Sequence, residues 1–237
     1  MQSRQRALGL ILAGQVLVEG QRVTKAGTRV PVNASIRITG DDMAYVSRGG
    51  IKLDAALKEF QIDVKGFQCL DVGASTGGFT DCLLQHGAVH VTAVDVGYGQ
   101  FHWTLRTDPR VRVIERTNIR YFDQPSLHGQ FDLVCIDVSF ISLKLVVPVV
   151  LPYLNRAGLI ICLIKPQFEV GKGLVGKGGV VRDPALRQQV LDNLAKDFLD
   201  LGLHQKLTTA SPILGPKGNQ EYLALLTLKT GAVNILQ

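Results

Sequence analysis

The stretch Cys69-Leu-Asp-Val-Gly-Ala-Ser-Thr-Gly-Gly-Phe-Thr-Asp81 decides the fold. An apolar strand end runs into Asp71, glycines follow at 73, 77 and 78, and an amphipathic helix starts directly after them. A second apolar strand, Val89 to Val94, ends in Asp95 after about one strand–helix–strand step. This layout lets a backbone turn and a helix N-terminus approach a nucleoside closely, while the later carboxylate accepts from ribose hydroxyls. Nicotinamide dehydrogenases and S-adenosylmethionine (SAM) methyltransferases share such loops. Here the spacing is Gly-x-x-x-Gly-Gly, so the third member of the dinucleotide pattern G-x-G-x-x-G is missing. With no pyrophosphate to bind, the loop fits SAM better.

Outward from that stretch, strand and helix patterns alternate. Near-continuous apolar runs predict strands at 67–72, 89–95, 111–114, 131–136 and 158–164, each buried on both faces. Helices are predicted at 52–60, 78–86, 141–154 and 183–202, the last opened by the N-cap and proline of Asp183-Pro184. Strands at 205–210 and 221–228 flank the turn Gly215-Pro-Lys-Gly-Asn219 and predict a hairpin at one sheet edge. The result is an α/β, Rossmann-like fold: a mostly parallel, seven-stranded sheet with an antiparallel edge strand. Residues 1–41 read differently, as a helix at 4–13, a stop at Gly14, and brief strands at 15–18, 21–23, 30–32 and 36–38. The expected organisation is a small domain at 1–41 and a large one at 42–237.

The 237-residue chain is 46% hydrophobic and 19% charged, which describes a globular protein with a large core. No apolar run reaches the roughly 18 residues that span a bilayer, and Met1-Gln-Ser-Arg-Gln-Arg6 lacks the apolar region of a signal peptide. A cytoplasmic protein without membrane partners is expected. Cys69, Cys82, Cys135 and Cys162 show no metal spacing and read as reduced core thiols, and the histidines form no ligand spacing, so no metal is expected. The net charge of +6 is uneven: residues 1–40 carry Arg4, Arg6, Arg22, Lys25, Arg29 and Arg37 against Glu19 alone. That asymmetry points to phosphate contacts.

Four charged residues stand at predicted strand mouths or helix starts. Asp137 ends one strand, Lys165 ends another, Glu221 opens the final strand and Lys52 opens the first helix of the large domain. The carboxyl ends of parallel strands line the ligand crevice of an open α/β sheet, which sets Asp137 and Lys165 beside the glycine loop. Asp137 is followed by Val-Ser-Phe rather than a proline-rich Asp/Asn-Pro-Pro-aromatic turn, which argues against methylation of base amino groups. Cys135 and Cys162 lie inside strands, which argues against thiolate attack on cytosine. The glycine-rich, basic stretch 165–182 reads as a mobile loop over the crevice, a lid whose Lys172, Lys177 and Arg182 suit RNA phosphates. Phe101 and Trp103 read as core aromatics.

The segments Tyr45-x-Ser-Arg-Gly-Gly-x-Lys52-Leu53, LDVGASTGGFTDCLL, CIDVSFISL, LIKPQFE, VGKGGVVRDP and GNQEYL together resemble the TlyA family. These are FtsJ-like ribosomal-RNA ribose methyltransferases, a group also labelled hemolysin A. Residues 1–41 are similar to the S-four-type RNA-binding module that the family carries in front, with its first helix missing. The resemblance implies a SAM-dependent methyltransferase fold and methylation of ribose 2′-hydroxyls of ribosomal RNA, at cytidines. It implies a catalytic set of Lys52, Asp137, Lys165 and Glu221, in which Lys165 takes the hydroxyl proton or holds the developing alkoxide. Asp137 would then orient Lys165, while Lys52 and Glu221 hold the ribose. SAM contacts carry over to Gly73, Ala74, Ser75, Gly77, Gly78, Asp95 and Asn118. RNA contacts are expected from Arg4, Arg6, Arg22, Lys25, Arg48, Lys172, Lys177 and Arg182, with ribosomal RNA or ribosomal subunits as partners. Two other readings stand beside this one: a non-catalytic RNA-binding or assembly factor, and a membrane-lytic protein.

Overall fold

The computed structural model describes residues 4–12, 14, 16–38, 44–171 and 173–229. Its contacts divide the chain after residue 43 into two compact units.

The small unit has a helix α1 (Arg4–Leu12) and strands β1 (Val16–Val18), β2 (Gln21–Val23) and β3 (Ile36–Ile38). The strands form an antiparallel sheet in the order β2-β1-β3. Gly14 closes α1 with φ 67°, its N–H donating to the Ile11 carbonyl at 2.9 Å. A two-residue turn, Glu19-Gly20 with φ 50° and 78°, joins β1 to β2, the geometry that tight hairpins demand. The expected strand at 30–32 does not form. Pro31 lacks a ladder donor, and Val30 and Val32 are exposed. The expectations at Ala13 and Gln15 lie outside the described residues.

The large unit contains α2 (Arg48–Glu59), β4 (Gln68–Val72), α3 (Gly78–Gln85), β5 (His90–Val94), α4 (Trp103–Arg106), β6 (Val111–Ile114), β7 (Phe131–Ile136), α5 (Leu143–Val150), β8 (Leu154–Ile164), α6 (Pro166–Glu169), α7 (Pro184–Asp200), β9 (Leu203–Ala210) and β10 (Tyr222–Leu228). They build one seven-stranded sheet in the order β6-β5-β4-β7-β8-β10-β9. The first five strands of that order are parallel; β10 runs antiparallel to both β8 and β9. The expected hairpin is therefore present at one edge, and the reversed strand is the inner of its two. Chain order turns back between β4 and β7, the point where such sheets open a ligand crevice.

The strands read as unbroken apolar runs because both faces are covered. Cys69, Leu133, Cys135, Ile161 and Leu163 point to the side of α2 and α3, against Leu53, Leu57, Phe79 and Leu83. Leu70, Val72, Val134, Ile136, Ile160 and Cys162 point to the other side, against Val146, Val147 and Val150 of α5 and Val190, Leu194 and Phe198 of α7. The period of two along each strand assigns alternate residues to alternate cores. All four cysteines are buried free thiols, and burial pushes the Cys69, Cys135 and Cys162 thiols well above their ordinary range.

Several boundaries differ from expectation. Helix α2 begins at Arg48, after Ser47, so Lys52 sits in its second turn instead of opening it. Helix α5 ends at Val150 and passes through a single 3-10 turn, Leu151–Tyr153, because Pro148 and Pro152 remove consecutive-turn donors. Strand β8 then starts at Leu154, earlier than its apolar run suggests, since Leu154 pairs with Phe131 before a register shift.

Candidate active site

The glycine loop is shaped by close approach of the protein to itself. Gly73 leaves β4 with φ 84°, and a Cβ there would run into the carbonyl oxygen of Asp137. Gly77, at the N-cap of α3 with φ 95°, would place a Cβ 2.5 Å from Leu105 Cδ1 and 3.0 Å from the Phe101 ring. At Gly78 a Cβ would meet Ser47 Oγ and the Gly50 amide nitrogen, so α2 and α3 pack through glycine. Phe101 is a core residue, as expected, whereas Trp103 is 56% exposed on α4. Ala74 is buried and Ser75 exposed, the latter with φ 50°.

Asp95 ties this loop to the next one. Its Oδ2 accepts from Ser75 N–H at 2.8 Å, and its Oδ1 accepts from Gly97 N–H at 2.6 Å and Gln100 Nε2 at 3.0 Å. The Asp95 carbonyl accepts from Thr117 N–H at 3.0 Å, which brings Asn118 alongside. Asn118 is exposed and caps a one-turn helix, its Oδ1 accepting from Arg120 N–H at 3.1 Å. Beneath the loop lies Asp71, fully buried on β4. Thr80 Oγ1 donates to its Oδ2 at 2.6 Å, while Oδ1 is buried without a partner. Burial, with the Asp137 and Asp95 carboxylates nearby, pushes Asp71 up to about 7 against the opposing bond from Thr80. The tight glycine turn, the N-terminus of α3 and the part-exposed Asp95 carboxylate beside them fit a bound nucleoside.

The four charged residues form two ion pairs at one end of the sheet. Asp137 follows β7, and its N–H donates to the Val72 carbonyl at 2.8 Å, seating it against the glycine loop. Lys165 follows β8; its Nζ lies 2.6 Å from Asp137 Oδ1 and donates to Ser139 Oγ at 2.9 Å. Glu221 precedes β10. Because β10 is reversed, its start lies at the carboxyl end of β8, with Tyr222 paired to Ile164. Lys52 reaches from α2 to Glu221, Nζ to Oε2 at 2.5 Å, with side chains only 8% and 1% exposed. The Asp137–Lys165 pair is more open, at 21% and 11%. The two lysines are almost equally covered, and the carboxylates differ most, Asp137 being the more exposed.

The segment 165–182 is more ordered than a plain glycine loop. It contains α6 and an isolated bridge between Gly176 and Val180. Asn219 fastens its far end, with Val181 N–H donating to Asn219 Oδ1 at 2.9 Å and Asn219 Nδ2 donating to the Gly179 carbonyl at 2.8 Å. Lys177 and Arg182 are exposed, as are Arg48, whose Nη2 donates to the Leu214 carbonyl at 2.6 Å, and Arg22 and Lys25 of the small unit. Arg4 and Arg6 lie on α1, but their side chains, like Lys172, fall outside the described residues. Sequence reasoning missed Ser139, Glu169 and Asn219 as partners of the site, and noted Asp71 without giving it a role. A lone carboxylate within an apolar strand was the available signal for Asp71.

A doubly wound sheet with a reversed strand inside its edge, and a glycine loop and two lysine–carboxylate pairs at its carboxyl end, is the Rossmann-like architecture of SAM-dependent methyltransferases. The chain matches the FtsJ-like methyltransferase family over residues 45–228 and the S4 domain over residues 1–36. It is 49% identical over 229 residues to the 16S/23S rRNA (cytidine-2'-O)-methyltransferase TlyA of Mycobacterium tuberculosis, covering 96% of this chain and 85% of that one. A solved structure bearing a hemolysin label, from Streptococcus thermophilus, superposes with a TM-score of 0.80 at 40% identity, over 98% of this chain and 85% of that one. At 15% identity, an S-adenosylmethionine dependent methyltransferase from Listeria monocytogenes shares the fold, with a TM-score of 0.57 over 77% of this chain and 99% of that one. The chain belongs to the FtsJ-like methyltransferase family. Among the described residues no helix is long and apolar enough to cross a membrane.

Proposed function

We propose that this chain is a SAM-dependent methyltransferase that methylates the ribose 2′-hydroxyl of ribosomal RNA, at cytidine. The observation that carries the reading is the accessible Lys165–Asp137 pair beside the glycine loop, on the scaffold of this family. The 49%-identical relative from Mycobacterium tuberculosis carries that activity in its name.

Gly73, Ala74, Ser75, Gly77 and Gly78 would hold SAM, with Asp95 and Asn118 toward its ribose and adenine. Bound SAM supplies an electrophilic methyl group on a sulfonium. The Lys165 amine takes the proton of the 2′-hydroxyl or holds the alkoxide as it develops. Asp137 and Ser139 occupy two directions around Nζ and so aim the third at the ribose oxygen. Lys52 and Glu221, neutralising one another, give a polar wall that positions the ribose without adding net charge. Proton removal of this kind contributes ~10²–10⁴-fold, and positioning adds to it. Arg48, Lys177 and Arg182 in the large unit, with Lys172, would contact RNA phosphates. Arg22 and Lys25 of the small unit, with Arg4 and Arg6, would do the same.

The test is incubation with tritiated SAM and ribosomal subunits or naked ribosomal RNA, followed by nuclease mapping. Label on a cytidine 2′-oxygen supports the reading. Label on a base, or RNA binding with SAM affinity but no transfer, would favour the non-catalytic factor or a different acceptor.

A further inference from the structure

Glu169 is a half-buried carboxylate that the chemistry above does not use. It ends α6, four residues after Lys165, and both its oxygens are taken by the neighbouring loop. Oε2 accepts from Ser142 Oγ at 2.6 Å and Oε1 from Leu143 N–H at 2.9 Å. Ser142 is the N-cap of α5, and its Oγ also accepts from Lys144 N–H at 3.2 Å. Glu169 therefore satisfies an orphan donor of α5 from another element, where a negative charge is favoured.

The loops after β7 and β8 are built alike. Each begins with one member of the accessible ion pair, Asp137 or Lys165. Each carries an aromatic three residues later, Phe140 or Phe168, and these rings touch at 4.9 Å between centroids. Glu169 then bonds the second loop to the end of the first. The first loop needs such a hold, because Phe140 has φ 64°, a conformation that costs a non-glycine residue on the order of 1–3 kcal/mol.

We propose that Glu169 is a positioning residue for methyl transfer, clamping the Lys165 loop to the N-terminus of α5 so that the amine keeps its place against Asp137. The inference rests on the reading of Lys165 given above. Its test uses the full chain, with single-turnover transfer from saturating tritiated SAM to ribosomal RNA, the SAM dissociation constant and thermal unfolding all measured. Glu169→Ala should slow transfer at least about tenfold, since small misplacements cost that much, with SAM affinity unchanged within about twofold. Glu169→Gln, which can still accept from Leu143 and donate to Ser142, should recover most of the rate. Ser142→Ala should slow transfer less, and the double variant Glu169→Ala/Ser142→Ala should be no slower than Glu169→Ala alone. A wild-type rate in Glu169→Ala would overturn the inference. So would parallel losses of rate, SAM affinity and unfolding temperature that Gln does not rescue. If Glu169→Ala does not fold, Ser142→Ala decides: a slowed rate at unchanged SAM affinity supports the clamp, and an unchanged rate overturns it. No transfer by the unsubstituted chain would overturn the parent reading, and this inference with it.

Discussion

Replacing Glu221 with Gln strips the carboxylate from a pair that water barely reaches. Lys52 Nζ lies 2.5 Å from Glu221 Oε2, and the side chains are 8% and 1% exposed. Removing one partner of such a pair leaves the other charge buried and uncompensated, which costs about 3–5 kcal/mol. For a domain of this size each kcal/mol lowers the unfolding midpoint by roughly 2–4 °C, so a fall of roughly 6–20 °C is expected. Gly215 offers an independent route to the same lesion, because a Cβ there would strike Glu221 Oε1. Urea titration followed by circular dichroism measures the loss directly. The double variant Lys52→Met/Glu221→Gln should lose less than the sum of the single variants, with a coupling of about 0.5–3 kcal/mol. Methyl transfer should fall in each. A loss under about 1 kcal/mol in Glu221→Gln would refute the reasoning, because only a hydrated, screened pair is that cheap to break.

Asp71 makes stability depend on pH. Its carboxyl is raised from 3.8 to about 7 in the folded chain, so between those values the folded state holds a proton that the unfolded state has lost. Stability should therefore fall as pH rises through that window, by up to roughly 1.4 kcal/mol per unit from this group. Asp71→Asn should flatten the slope between pH 4 and 7, and an unchanged slope would mean the carboxyl is ionised when folded. Arg22→Ala and Lys25→Ala, at exposed positions of the small unit, should weaken RNA binding and reduce its salt dependence. Each lost phosphate contact should lower the slope by roughly 0.7–0.9, and an unchanged slope would remove these residues from the interface.

The strands of the large unit were legible because strands buried on both faces read as near-continuous apolar runs, as Leu133–Ile136 and Leu159–Ile164 do. A hairpin at one sheet edge was legible from the turn Gly215–Asn219, but not that its inner strand is the reversed one, which is what sets Glu221 at the carboxyl end of β8. The start of α2 was not. Arg48-Gly49-Gly50 reads as a hinge by propensity, yet Gly50 is helical, and it is glycine because a Cβ there would strike the Tyr45 ring. The same limit hid the clamps. Glu169 meets Ser142 across 27 residues, and Asn219 meets Gly179 across 40, contacts that no local pattern encodes. Val30 and Val32 erred the other way: β-branched residues beside a proline suggested a strand where no partner strand lies among the described residues.

In the proposed mechanism Lys165 moves or holds the proton of a ribose hydroxyl while other residues hold SAM. The most direct test is to measure SAM binding by calorimetry and methyl transfer to ribosomal RNA on the same preparations of wild type and Lys165→Ala. The expected result is an unchanged dissociation constant with transfer lowered by about 10²-fold or more. Transfer by Lys165→Ala at the wild-type rate would contradict the account.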